Sequence, residues 1–136
     1  MTAFIETLRK SQVHAPSKPL NIALWVAQIG GAGMFLMSSF GKLNANPQMV
    51  GLFNALGGQW FRYFTGLTEL IGAVLLLIPA LSGVGGLLLS AVMVGALITH
   101  AIIGGSPVAA IVMLAAMSFV AWGRRDRTLR LLQRVL

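Results

Sequence analysis

The sequence has 136 residues, of which 57% are hydrophobic and 10% are charged, and its mean hydropathy is +0.83. A soluble domain of this length could not bury so much apolar surface, so the composition excludes a soluble globular protein and indicates an integral membrane protein. The net charge is +7, and the absence of cysteine excludes disulfides, thiolate zinc sites, iron–sulfur clusters and covalent c-type haem within this sequence.

Four apolar runs are long enough to form membrane-spanning helices, because a crossing needs about 20 mainly apolar residues. They cover residues 20–41, 62–79, 83–105 and 107–123, and the two later connections contain proline and glycine where helices should end. Residues 1–19 form a tail before them, and residues 124–136 form a basic amphipathic tail after them. We therefore predict an all-α fold, an integral membrane four-helix bundle over residues 20–123.

The connection between the first and second spans is longer and predicts a short interfacial helix. Pro47 suits the first position of a helix, and Gly57 and Gly58 can end it. Trp60 and Tyr63 follow, and such aromatic side chains are enriched at membrane–water interfaces. We expect this segment to lie on the bilayer surface or to fold back over the bundle.

The distribution of basic residues predicts the orientation of the bundle. All lysine and arginine residues except Lys42 and Arg62 lie in the two tails. Because positively charged residues are enriched on the cytoplasmic side of membrane proteins, both termini should be cytoplasmic. The basic tails should then contact anionic lipid headgroups of the bilayer, and we expect no nucleic-acid partner.

Glu69 is one of only three acidic residues, and it lies inside the second span. An ionised carboxylate that faces lipid would cost about 2.5–3.5 kcal/mol, so this side chain should face inward and be paired or protonated. Small residues one turn away, such as Gly66 and Gly72, allow another helix to approach on that side. We expect Lys42 and His100 as partners, since all three ionisable residues should lie in the outer half of the bilayer.

Further polar side chains share the predicted inner faces and complete the candidate site. We predict Glu69 and His100 as catalytic residues, and a ligand-binding set that consists of Gln28, Ser38, Lys42, Arg62 and Thr65. The alternative for Glu69 is a buried salt bridge or hydrogen bond that only fixes helix packing. The residue pattern leaves both interpretations open, and it predicts no metal site.

Four features follow one another in a defined order along the chain. They are the span that ends in "FLMSSFGKL", the proline-started helix "NPQMVGLFNALG", the aromatic-basic re-entry "WFRYFTGLTELIGAVLLL", and a third span that contains His100. Together they resemble the DoxX family of small four-helix bacterial membrane proteins over about residues 20–123. The resemblance implies a multi-pass protein of the bacterial inner (cytoplasmic) membrane that works at the quinone pool.

The DoxX family takes its name from a subunit of a terminal quinol oxidase, also described as a thiosulfate:quinone oxidoreductase. The resemblance therefore implies a quinone-interacting subunit of a membrane oxidoreductase complex, with a bound quinone and an electron donor in a partner subunit. Two alternatives stay open: a binding protein or isomerase-type enzyme for a small apolar or lipid ligand, and a non-catalytic membrane scaffold. The sequence also leaves open a homo-oligomer and whether the chain is itself an enzyme.

Overall fold

The structure is a computed structural model that describes residues 2–3, 17–44 and 47–135, with the side chain of Met49 outside the described part. Most of the predicted tail at residues 1–19 also lies outside it. The helices are α1 (Lys18–Leu43), α2 (Pro47–Ala55), α3 (Gln59–Leu77), α4 (Ser82–Ile103), α5 (Val108–Gly123) and α6 (Arg125–Val135), with a 3-10 turn at Pro79–Leu81. The four predicted spans are helical, and their ends lie within about three residues of the predicted ones.

Local sequence explains where the helices begin and end. Ser17 caps α1, because its hydroxyl oxygen accepts a hydrogen bond from the backbone N–H of Leu20 at 3.4 Å. Gly57 and Gly58 follow α2 with φ angles of 111° and 105°, a region that glycine enters without the steric cost of a Cβ atom. Pro79 follows α3, where its fixed φ and missing N–H interrupt the helix.

The four long helices form a closed ring. Both α1 and α4 pack on α3 and on α5, so the order around the ring is α1, α3, α4, α5. The apolar core inside the ring consists of Ala32, Phe35, Ala73, Leu76, Leu89, Met93, Ala110, Met117 and Val120. Because α1 and α3 are neighbours in the ring, polar residues on their facing sides can meet.

Two short helices cover the ends of the ring. At one end α2 lies against α3, with Phe53 buried and its ring centroid 5.7 Å from that of Phe61. At the other end α6 is bent by 58° from α5 and packs against the Pro79–Leu81 turn. We call these the Lys42 end and the Arg124 end, after the charged residue that lies near each.

The lengths and surfaces of the helices suit a bilayer. Among the described residues, α1, α3 and the segment Pro79–Ile103 that contains α4 are each long and apolar enough to cross a membrane. α5 has 16 residues and meets this criterion only together with α6, across the bend. Large hydrophobic side chains such as Val26, Met37 and Ile102 are exposed on the outside of the ring, which suits contact with lipid. The protein is therefore a multi-pass membrane protein, as the composition predicted.

Candidate functional site

An ion pair between α1 and α3 forms the centre of the site. Lys42 Nζ lies 2.7 Å from Glu69 Oε1, and the two residues are only 8% and 2% exposed. Lys42 Nζ also donates a hydrogen bond to Ser38 Oγ, one turn earlier on α1, at 2.7 Å. The structure thus brings Ser38, Lys42 and Glu69 together, and the pairing keeps two opposite charges compensated inside the bundle.

Close packing of α1 on α3 holds the two charges at this distance. Ser39 Oγ donates to the backbone oxygen of Gly66 at 2.8 Å, and a Cβ atom on Gly66 would lie 3.2 Å from Lys42 Cβ. The missing side chain at Gly66 therefore lets the helices approach at the level of the pair. Arg62 is buried beside them, where its Nη1 donates to the backbone oxygen of Lys42 and its Nε donates to Gln59 Oε1 at 2.6 Å. Arg62 thus stabilises the end of α1, and Arg62 itself does not line the cavity described below.

A cavity of about 590 Å³ lies beside the pair, between α1, α3, α4 and α5, and it is also lined by Leu52 and Phe53 of α2 and by Leu56, which follows α2. Its polar lining consists of Ser38, Lys42, Thr65, Thr68, Glu69 and Thr99. Its apolar lining includes Met34, Phe35, Phe61, Phe64, Leu88, Ala91, Val92, Met93, Gly95, Ala96, Ala109, Ala110 and Met113. A cavity of this size, apolar apart from a few polar side chains, is typical of a site for a small molecule.

Glu69, which lines this cavity, has an unused hydrogen-bond acceptor. Its Oε1 is bonded to Lys42, but its Oε2 is buried and has no hydrogen-bond partner among the described residues. The nearby hydroxyl groups of Thr65 and Thr68 each donate to a backbone oxygen of the preceding turn of α3 at 2.8 Å. Because a desolvated carboxylate oxygen without a donor costs free energy, the site favours a molecule that supplies one, such as a hydroxyl group.

The packing of α3 on α4 is close towards the Arg124 end and open towards the Lys42 end. A Cβ atom on Gly72 would lie 2.6 Å from Leu89 Cδ2, so the helices touch there. On the same helix as Leu89, a Cβ atom on Gly95 would meet no described atom within 4 Å. Gly95 lines the cavity and is itself exposed. The lining of the cavity therefore reaches the outer surface of the ring at Gly95.

A second polar cluster lies at the Arg124 end and was not predicted from the sequence. Arg124 is fully buried, and it donates from Nε to Gln28 Oε1 at 2.7 Å and from Nη1 to Asn21 Oδ1 at 2.9 Å. Gln28 Nε2 in turn donates to the backbone oxygen of Leu76 at 2.8 Å. The predicted placement of Gln28 in the ligand site with Lys42 is therefore wrong, because its amide joins α1 to α3 and to Arg124 at the opposite end.

Arg124 is a buried cation at the point where α5 passes into α6. Burial lowers the pKa of its guanidinium group, the charge of Arg127 lowers that pKa further, and the carboxylate of Asp126 raises it. Arginine keeps its proton throughout the physiological pH range, so the group remains charged. Its Cζ also lies 5.6 Å from the ring centroid of Trp25. The only sequence signal for this cluster was a pair of amide residues seven positions apart on one face of α1.

His100 lies apart from the ion pair, which corrects the predicted cluster of three residues. Its Nδ1 is 3.2 Å from the backbone oxygen of Gly104 at the end of the same helix, and its side chain does not line the cavity. Thr99 lines the cavity instead, because successive helix positions are rotated by about 100°. Among the described residues, no three carboxylate or imidazole side chains converge on a metal position.

The fold and the site together define a class, a multi-pass helical membrane protein with a buried ion pair beside an apolar cavity. The model of the DoxX-like family matches residues 26–123 of the sequence. The protein belongs to the DoxX-like family, which confirms the resemblance seen in the sequence. No curated protein and no solved structure matches the chain. Because one fold can host several functions, the function has to be argued from the site itself.

Proposed function

We propose that the cavity binds the headgroup of a quinone or quinol, and that the protein is a quinone-interacting subunit of a membrane oxidoreductase complex. One observation above all supports this proposal: the buried Oε2 atom of Glu69, in a residue that lines an apolar cavity, has no partner among the described residues. A quinol combines an apolar ring with hydroxyl groups. Its ring suits the walls of the cavity, and one hydroxyl supplies the donor that Glu69 Oε2 lacks. The DoxX resemblance favours the same class of ligand.

Each residue of the ion pair has a separate role in this proposal. Glu69 Oε2 accepts a hydrogen bond from a hydroxyl group of the quinol. The ammonium hydrogen of Lys42 that bonds to neither Ser38 nor Glu69 can bond to the oxygen atom of that quinol hydroxyl. Oxidation of a quinol to a quinone releases two protons and two electrons. Glu69 is positioned to accept the proton of the hydroxyl that it binds, as a general base, and the proton of the second hydroxyl leaves to solvent. A partner subunit exchanges the two electrons: its electron acceptor takes them when a quinol is oxidised, and its electron donor returns them, with uptake of both protons, when a quinone is reduced.

The same geometry also fits an apolar molecule that has a hydroxyl group but no redox chemistry. The protein would then be a binding protein or an isomerase-type enzyme for a lipid, with Glu69 as the proton acceptor. A scaffold function, in contrast, needs neither the cavity nor an unpaired carboxylate oxygen. The chemical identity of the bound molecule therefore separates the three functions.

The test combines extraction of the purified protein with ligand titration. We expect mass spectrometry to find quinone in preparations made in mild detergent, and a decyl-tailed benzoquinol to bind saturably. Glu69→Gln should weaken that binding at least about tenfold, because it removes a charged hydrogen-bond acceptor. Ser90→Ala is the matched control, since the Ser90 hydroxyl donates to the backbone oxygen of Gly86 at 2.7 Å and lies outside the cavity lining.

Three results would decide against a quinone site. Preparations that contain no quinone and also fail to bind added quinol would refute it. Selective retention of a different hydroxyl-bearing lipid would favour the binding-protein or isomerase alternative. Equal loss of quinol binding in Glu69→Gln and Ser90→Ala would show that binding does not depend on the carboxylate.

In this proposal the protein lies in a bacterial inner membrane with the Arg124 end in the cytoplasm, which the basic residues of α6 support. The sequence contains no cysteine, so single cysteines report orientation without background. Val135→Cys, at the end of α6, should react with an impermeant maleimide only after the cells are opened. Gly51→Cys, in α2, should react in intact spheroplasts. The opposite pattern would contradict the orientation.

A further inference from the structure

A groove at the Arg124 end lies outside the site already described. It runs between α6 and the turn that joins α3 to α4, and it has a volume of about 260 Å³. It is lined by Pro79, Ala80, Arg127, Arg130, Leu131 and Arg134. The spacing of the three arginines along α6 places them on one side of the helix, facing the turn. We call this region the arginine groove.

The arginine groove has more positive than negative charge. Arg127 is fixed at its edge, because Nη1 donates to the backbone oxygen of Pro79 at 2.9 Å. Arg130 Nη2 lies 3.7 Å from Asp126 Oδ2, and the Arg130 side chain is 58% exposed. Of the other acidic residues in the sequence, Glu69 lies near the Lys42 end of the bundle, and Glu6 lies outside the described part. Among the residues that the structure describes, Asp126 is the one carboxylate beside the three guanidinium groups, and an anion would relieve their mutual repulsion.

The chemistry of the groove suits a phosphate group that is attached to an apolar chain. The planar guanidinium group binds phosphate oxygens through two parallel hydrogen bonds, which is why arginine is favoured in phosphate recognition. Ala80 and Leu131 add apolar surface to the groove. The same helix exposes Leu132 and Val135, which are 44% and 79% exposed, and such apolar side chains on a basic helix insert into the bilayer surface.

We propose that the arginine groove is a binding site for the phosphate group of an anionic phospholipid. Arg127, already held by the backbone of Pro79, supplies a fixed wall, and the more exposed Arg130 and Arg134 close on the phosphate. The acyl chains of the lipid lie along the bundle in the bilayer. This site is separate from the cavity beside Glu69, so it does not depend on the identity of the molecule bound there.

Native mass spectrometry tests this proposal with phosphatidylglycerol as the probe and phosphatidylcholine as the neutral comparison. The purified full-length protein should retain phosphatidylglycerol in preference to phosphatidylcholine. With about fivefold in affinity for each basic residue that contacts the bound phosphate group, Arg130→Gln/Arg134→Gln should lose about twenty-fivefold. Arg130→Lys/Arg134→Lys keeps the charge but not the planar fork, and should lose less than the glutamine variant.

Arg125→Gln is the matched control on the same helix. Arg125 faces away from the groove, because its Nη1 donates to the backbone oxygen of Trp122 at 2.7 Å and its Cζ lies 4.6 Å from the Trp122 ring centroid. The Arg125→Gln variant should therefore keep the affinity of the parent protein for phosphatidylglycerol. Equal losses in Arg125→Gln and in the groove variants would overturn the proposal, since only overall charge would then matter. Displacement of phosphatidylglycerol by millimolar inorganic phosphate would also overturn it, because the groove would then recognise a free anion.

Discussion

Removing one charge of the Lys42–Glu69 pair should destabilise the bundle, whereas removing both should restore most of the lost stability. At an effective dielectric constant of about 20, two unit charges 2.7 Å apart attract each other by about 6 kcal/mol. A single substitution, Lys42→Met or Glu69→Leu, loses this attraction and leaves the other charge buried. Each should therefore lower the free energy of unfolding by about 3–5 kcal/mol. The double variant has no buried charge, so it should lie within about 2 kcal/mol of the parent protein.

Denaturation with sodium dodecyl sulfate in detergent micelles, followed by circular dichroism, measures these free energies. The double-mutant cycle should give a coupling energy of at least about 4 kcal/mol, the two single losses less the loss of the double variant. Strictly additive losses would mean that the two charges do not interact in the folded protein. Quinol titration of the same variants distinguishes the role of the pair in stability from its role in binding quinol. The double variant should be stable and yet fail to bind, and a stable double variant with parental affinity would remove Glu69 from the proposed site.

The remaining predictions concern helix packing, the second polar cluster and the histidine. Gly86→Ala should lower the free energy of unfolding by about 1–3 kcal/mol in the same denaturation assay, because its Cβ atom would lie 2.9 Å from the backbone of α5. Gly95→Ala, which meets no described atom within 4 Å, should have no such effect, and equal effects would contradict the packing argument. Arg124→Met should cost about 1–3 kcal/mol because it leaves the buried amide oxygen of Gln28 without its donor, and an unchanged stability would show that the bond contributes nothing. His100→Ala should change quinol affinity by less than about twofold, because His100 does not line the cavity. A tenfold loss would mean that His100 takes part in quinol binding.

The sequence was sufficient to predict the bundle and one of the polar contacts between α1 and α3, the pair of Lys42 and Glu69. Hydrocarbon thickness sets the length of a span, so the apolar runs predicted the four long helices closely. The cost of an ionised carboxylate in lipid, with Gly66 and Gly72 one turn away, predicted that Glu69 faces another helix. Lys42 was one of the two partners predicted for Glu69, and the structure pairs them at 2.7 Å.

Other parts of the site depend on geometry that the sequence pattern does not contain. The position of His100 depends on a rotation of one residue along α4, which periodicity in a uniformly apolar helix does not determine. The bond between Arg124 and Gln28 joins residues 96 positions apart, so no local sequence pattern predicts it. The sequence pattern also does not distinguish Gly72, where a Cβ atom would lie 2.6 Å from Leu89 Cδ2, from Gly95, which lines the cavity and where a Cβ atom would meet no described atom within 4 Å.

The central claim is that Glu69 Oε2 accepts a hydrogen bond from the bound molecule. Infrared difference spectroscopy of protein with 13C-labelled glutamate measures the carboxylate stretching band with and without a decyl-tailed quinol. Of the two glutamates in the sequence, Glu6 and Glu69, the Glu69→Gln variant identifies the band that belongs to the site. Quinol should shift this band, and the shift should be absent in Glu69→Gln and present in Ser90→Ala. A saturating quinol concentration that leaves the Glu69 band unchanged would show that the carboxylate does not bind the quinol.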